Sequence, residues 1–174
     1  MEREMEREMR DMDGLTEAEY MANYNPDNWR KPSVTADVVI VNELGEVLLV
    51  RRGGHPFIGL WAIPGGFSSY GERIEETAAR ELLEETNLSG ISLRIIGVYS
   101  KPGRDPRDWT MTAAYLGRVH KSDVKPKAGD DAAKAAWWKI DPETRTLRSE
   151  ETLLHFEDLA FDHNDILDDV LKML

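Results

Sequence analysis

Glu81, Glu84 and Glu85 crowd one end of a segment patterned like a helix, with Arg80 just before them and Glu72 upstream. Glu81 and Glu85 stand one turn apart, and like charges at that spacing destabilise a helix by about 0.2–0.5 kcal/mol per pair. A bound cation removes that cost. With a helix starting near Ile74 and advancing about 100° per residue, Ile74, Ala78 and Leu82 fall within an arc of about 80°, and Glu81 and Glu85 lie at about −20° and +20°. The two carboxylates thus interleave with the apolar edge, where ordinary surface glutamates would sit opposite it. Glu76 and Arg80 are spaced for an i,i+4 pair, and Arg80 is placed to orient neighbouring acids. Two glutamates at a helix–core edge suit a hard divalent cation, which takes oxygen ligands and retains water. Gly65-Gly66 brings backbone close to the same point, where a carbonyl adds a ligand. Cations so held neutralise charge on phosphate oxygens and lower the pKa of an attacking water, which is the chemistry of phosphoanhydride cleavage. The alternative is a solvated surface helix.

Several elements must hold this helix in place. "SVTADVVIVNE" reads as a largely buried strand, "NELGE" as a turn and "VLLVRR" as a returning strand. "RGGHPFIGLWAIPGG" reads as a Gly/Pro-punctuated loop leading to the helix. "ISLRIIGVYS" and "WTMTAAYLGRVH" are strand-like around the polar loop "KPGRDPRD", and "AAWWKID" is a further short strand in which Trp137 and Trp138 alternate faces. The tail "NDILDDVLKML" places Ile166, Leu167, Val170, Leu171 and Leu174 on one helix face. At the other end, "MEREMEREMRDM" stacks Met1, Met5 and Met9 and reads as a frayed, solvated helix or as an adaptable apolar stripe that permits a homodimer, and "YNPDNWRKPS" reads as a connector. The division expected is residues 1–31 as a helical extension and linker, then one mixed α/β domain over 32–174.

Composition narrows the classes. The 174-residue chain has no cysteine, which removes disulfides, zinc–thiolate sites and thiol nucleophiles. Of its net charge of −11, residues 1–30 carry nine acids against four bases, and residues 141–174 carry ten against three. An acidic chain without a basic stripe is a poor nucleic-acid binder. No apolar run approaches the ~20 residues of a membrane span, so no membrane partner and a cytoplasmic location are the expectations.

The segment "GFSSYGERIEETAARELLEETNL" resembles the Nudix box, G-x5-E-x7-R-E-U-x-E-E-x-G-U with U bulky and aliphatic, over residues 66–88. Gly66, Glu72, Arg80-Glu81-Leu82, Glu84-Glu85 and Leu88 match in identity and spacing. Asn87 stands where the family writes glycine; asparagine tolerates the left-handed conformation that ends a helix. The resemblance implies an α/β (α+β) fold, the Nudix-type α/β/α sandwich with a mixed central sheet. It implies a Mg²⁺-dependent pyrophosphohydrolase, Mn²⁺ serving as well, acting on a nucleoside diphosphate derivative. Carried over by position, Glu81, Glu85, Glu84 and the Gly65 carbonyl hold the metal, Glu72 binds a further ion or braces the site, and Arg80 orients the glutamates. The catalytic carboxylates are Glu84 and Glu85 of the box or a loop residue, for which Asp131 of "AGDDAA" is favoured over Asp130.

Outside the box, Arg104 and Arg107 of "KPGRDPRDW" suit phosphate, and Asp105 between them suits a ribose hydroxyl. Arg51, which with Arg52 ends a strand before the glycine-rich loop, is a phosphate contact or a solvated strand end. His163 of "AFDHND" reads as a cap or surface residue in preference to a site residue. "RDPR", "GDDA" and "LAFDH" together are similar to family members described as ADP-ribose pyrophosphatases, implying cleavage of ADP-ribose to AMP and ribose 5-phosphate. Alternatives are NADH, sugar nucleotides, dinucleoside polyphosphates or nucleoside triphosphates as substrate, or a non-catalytic sensor of an ADP-ribose-type ligand.

Overall fold

The computed structural model describes residues 9–128, 132–150 and 152–174. The chain divides into two compact units between Lys31 and Pro32. In the first, α1 (Glu17–Asn23) is started by a reciprocal cap: the Thr16 hydroxyl accepts from the Glu19 amide, and the Glu19 carboxylate accepts from the Thr16 amide. No residue of α1 is buried. The methionine repeat expected to be helical lies mostly outside the described residues; Met9 and Met12 are exposed.

The second unit is built on β1 (Ser33–Asn42), whose last eight residues are all buried. A strand buried on both faces reads as a continuous apolar run, as this one does. It runs parallel to β6 (Thr110–Val119) over ten residue pairs and antiparallel to β2 (Glu46–Arg52). The β1–β2 hairpin is closed only beside its turn, at Val41–Val47. Toward the other end the two strands part, and the segment read as a loop enters the fork. There β3 (Trp61–Ala62) pairs with β2, and β4 (Gly65–Phe67) pairs with β1. This fork places the glycine pair between the strands and opens the molecule on that side.

The mixed sheet runs β5-β6-β1-β2-β7-β8-β9, with β5 at Leu93–Tyr99, β7 at Ala132–Asp141, β8 at Thr146–Ser149 and β9 at Thr152–His155. The β8–β9 hairpin was not expected, because "TLRSEETLLH" is short, polar and at the sheet edge, where alternation is weakest. Helix α2 (Ile74–Thr86) covers one face, packing Ala78 and Leu82 with Ala36, Val38 and Ile40. Helix α3 (His163–Leu171) covers the other, packing Ile166, Leu167 and Val170 with Val39, Val41 and Leu49. The period of two in β1 sorts its side chains between the layers, giving helix, sheet, helix. Each fully buried Leu, Ile or Val contributes about 1.5–3 kcal/mol, so α2 is held by its apolar edge and not by its charges. Asn87 ends α2 at φ 59°, ψ 23°, the left-handed conformation foreseen. Trp138 is buried in the α3 layer and Trp137 half-buried on the α2 side, as the alternation required. Among the described residues no helix is long and apolar enough to cross a membrane.

Candidate active site

Arg80 is the hub of the glutamate cluster. Its Nε and Nη2 donate to the two Glu72 oxygens at 2.9 and 3.0 Å. Nη1 donates to Glu81 at 2.7 Å and Glu84 at 3.0 Å, and Nη2 also reaches the Phe67 carbonyl at 2.9 Å. Glu72 accepts in addition from the Ser69 amide and the Thr77 hydroxyl, and the Arg80 guanidinium foremost holds its carboxyl down at about 2. Glu72 is thereby spent on bracing the loop before α2. The expected Glu76–Arg80 pair does not form: Glu76 turns back to accept from the Arg73 amide, where α2 begins, and Arg80 is drawn to the other three acids.

Glu81 and Glu85 face the glycine pair. The Gly65 amide donates to Glu85 Oε2 at 2.9 Å. Burial pushes the Glu85 carboxyl up to about 7 against that bond, and the negative charges of Glu81 and Asp37 push the same way. Glu81 is also raised, by burial first. Both glycines are required by close approach. A Cβ on Gly65 would collide with the Ala36 carbonyl and lie 2.8 Å from the Asp37 Cα, and a Cβ on Gly66 would collide with the Glu81 carboxylate. Gly65→Ala is therefore expected to unseat β4 and destabilise the fold. Gly66→Ala displaces only a flexible side-chain end, so it should leave the melting temperature nearly unchanged and lower kcat at least tenfold. Thermal unfolding and turnover of the two proteins check this contrast.

Among the described residues, no three acidic or imidazole groups are already gathered as a metal cage. The donors are nonetheless all oxygen, and Glu85 is a partly buried acid whose charge is offset by the Gly65 amide and the more distant Arg52 guanidinium. That set fits a hard divalent ion that keeps several waters.

Glu81 and Glu85 line one wall of a cleft of about 590 Å³, and Arg51, Arg104, Asp105, Arg107, Phe161 and His163 are among the residues that line the rest. Arg104 is placed differently from its sequence reading. Its guanidinium is 4% exposed and holds both oxygens of Asp162 at 2.7 and 2.9 Å, with Asp37 at 3.6 Å. Asp105 is buried and accepts from the Arg107 amide and guanidinium, so it orients Arg107. Arg107 itself is partly exposed, its guanidinium 4.6 Å from the Phe67 ring centre and 5.6 Å from that of Phe161. Phe161 sits at φ 58°, a costly value for a bulky residue that persists where surroundings enforce it. Arg51 is exposed at the cleft edge, its Nε on the Gly59 carbonyl. Asp130 and Asp131 lie outside the described residues.

His163 is buried, contrary to its reading as a cap or surface residue. Its Nδ1 accepts from the Ile63 amide at 2.9 Å, and burial lowers its pKa to about 3, so the ring is neutral. Asp37 was missed altogether; burial lifts its carboxyl to about 6 despite Arg104. The signal was a lone acid inside the apolar run "TADVVIV". Asp162, Phe67 and Phe161 were also missed, since nothing local marks a residue whose partner is about forty to sixty positions away.

The chain matches the NUDIX domain family over residues 31–156. It is 35% identical over 141 residues to the ADP-ribose pyrophosphatase of Methanocaldococcus jannaschii, covering 81% of this chain and 74% of that protein. Among solved structures, a MutT/nudix family protein from Enterococcus faecalis superposes with a TM-score of 0.77 at 33% identity, covering 88% of this chain and 66% of the other. The Nudix domain of Shewanella oneidensis NrtR, solved in complex with ADP ribose, superposes with a TM-score of 0.75 at 28% identity, covering 91% and 99%. With the box glutamates gathered around Arg80 at the start of the cleft and the family matched across most of the body, the chain belongs to the NUDIX domain family and is a Nudix pyrophosphohydrolase.

Proposed function

We propose that the protein hydrolyses the diphosphate linkage of ADP-ribose, water adding across the P–O–P bridge to give AMP and ribose 5-phosphate. The observation that carries this reading is the polarity of the cleft: partly buried glutamates with Asp37 on one wall, and guanidinium groups with aromatic rings on the others. Such a site takes a diphosphate together with cations, and has flat surfaces for a base. The kinship with an ADP-ribose pyrophosphatase and with an ADP-ribose-bound domain supports the same ligand.

Nudix hydrolases generally use divalent metal cations, and we assign Mg²⁺, with Mn²⁺ as substitute, to Glu81, Glu84, Glu85 and the Gly65 carbonyl. When bound, the ion neutralises charge on the phosphate oxygens and acidifies the attacking water. Arg80 keeps Glu81 and Glu84 turned toward one another, and the Gly65 amide holds one oxygen of Glu85. Proton removal falls to Glu84, more than half exposed, or to Asp131. Glu84→Gln and Asp131→Asn should separate them, since loss of the base lowers kcat by about 10²–10⁴-fold with little change in KM.

Arg107, oriented by Asp105 and laid against Phe67 and Phe161, is assigned to the substrate. Arg107→Ala is expected to raise KM for ADP-ribose about tenfold, or ~1.4 kcal/mol of binding, with a smaller stability loss than Arg104→Ala. Steady-state kinetics decide, and a change in kcat/KM below about twofold would return this residue to the surface. The substrate itself is read by one Mg²⁺ panel of ADP-ribose, NADH, a sugar nucleotide, a dinucleoside polyphosphate and nucleoside triphosphates. Preferred cleavage of another member overturns the ADP-ribose assignment. Binding of ADP-ribose without cleavage of any member makes the chain a sensor.

A further inference from the structure

Four consecutive residues, Ala160 to His163, join the loops that meet at the cleft. The Ala160 amide donates to the Trp61 carbonyl at 2.9 Å. The Phe161 ring lies 4.9 Å from the Arg52 guanidinium and 5.6 Å from that of Arg107. Asp162 holds Arg104 through both its oxygens. His163 reaches furthest toward the chemistry. Its Nδ1 accepts from the Ile63 amide, the Pro64 carbonyl accepts from the Val38 amide at 2.8 Å, and the Gly65 amide donates to Glu85. One three-residue stretch of backbone is thus pinned at each residue, and its last pin is the glutamate.

We propose that His163 is a positioning residue for hydrolysis: its bond to the Ile63 amide fixes the Ile63–Gly65 backbone, and through the Gly65 amide the Glu85 carboxylate, where the divalent cation is held. The inference rests on the hydrolase reading above and not on which diphosphate is cleaved. The residue type follows from the surroundings. Ile63 is 2% exposed, and an unpaired buried amide costs about 1–3 kcal/mol, so an acceptor is required. A carboxylate acceptor would add a negative charge beside Asp37 and near Glu85. A neutral imidazole accepts at Nδ1 and carries its hydrogen on Nε2, which lies 3.7 Å from Asp37 Oδ1. The motif "AFDH" thereby serves both walls of the cleft, Asp162 securing the arginine loop and His163 the glycine loop.

The test compares His163→Phe, which keeps a ring and removes the acceptor, with His163→Gln, which keeps an acceptor. Two quantities are read on each folded protein: Mn²⁺ affinity by titration calorimetry without substrate, and kcat and KM on the best substrate of the panel. Loss of an outer partner of a metal ligand costs about 10–100-fold in affinity or activity. H163F is therefore expected to bind Mn²⁺ about tenfold more weakly and to lose about 30-fold in kcat, with KM within about threefold. H163Q should recover most of both. A folded H163F with wild-type Mn²⁺ affinity and kcat overturns the proposal. If H163F does not fold, H163Q decides: retention of both quantities supports positioning, and loss of either overturns it. Wild-type protein that binds Mn²⁺ but leaves ADP-ribose intact removes only the substrate assignment, whereas wild-type protein that binds no Mn²⁺ removes this inference.

Discussion

Glu85→Gln is expected to lower turnover by about 10³-fold, on the order of 4 kcal/mol of barrier, while making the cation-free protein more stable near neutral pH. The opposite signs have one cause. Glu85 is a partly buried acid beside Glu81 and Asp37, and loss of solvent foremost pushes its carboxyl from 4.5 to about 7. A group that holds its proton more tightly folded than unfolded contributes stability that is complete below its unfolded pKa and lost as pH rises through the folded one. For Glu85 that loss spans pH ~4.5 to ~7 and is on the order of 3 kcal/mol; Asp37, raised to about 6, adds to it in the same direction over a lower range. Glutamine has no charge to bury and keeps an oxygen for the Gly65 amide, so the variant escapes its share. Thermal unfolding in chelator at pH 5, 6, 7 and 8 should show the wild type losing stability across the series, and the variant losing less. Added Mn²⁺ should then restore the wild type by mass action and do little for the variant. A variant with an unchanged Mg²⁺-dependent rate would remove Glu85 from the metal site.

Arg104→Ala is expected to fail chiefly in stability, not in substrate binding. Arg104 is 4% exposed at its side chain and Asp162 is 10% exposed, and two hydrogen bonds of 2.7 and 2.9 Å join them. Removing one partner of a buried pair leaves the other charge uncompensated, at a cost of about 3–5 kcal/mol. In a chain of this size that corresponds to a fall in melting temperature of roughly 6–20 °C. Asp37, 3.6 Å from the same guanidinium, would lose its nearest cation as well. Asp162→Ala should reproduce the loss, and the double variant should cost less than the sum, because the two side chains form one unit. Arg107→Ala provides the contrast: Asp105 would lose the guanidinium but keep the backbone amide of residue 107 and the nearby Arg104 charge, so the loss of stability should be smaller. A melting temperature unchanged in Arg104→Ala would free that residue for the substrate.

The catalytic helix was legible in the sequence because its information is local. A 3.6-residue period, eight matched box positions and an asparagine suited to a left-handed end all fall within 23 residues, and the period sets Glu81 and Glu85 along the apolar edge. The long strands and α3 were legible for the same reason, each carrying its own period. The fork between β1 and β2 was not, because "LWAIPGGF" pairs with strands on either side and has no period of its own. Nor was the division of labour in "RDPR". Three charged residues in a row of four looked alike until the fold buried Arg104 and Asp105 and left Arg107 at the cleft. His163 needed the tertiary structure most, since its acceptor role depends on an amide one hundred residues away. The sequence by itself determined that this chain carries the glutamate helix of the family and the family of its chemistry, since spacing within one helix survives without any other contact. Which charges stand open to the cleft and which hold its walls together was decided only by burial, and burial is a property of the packed chain.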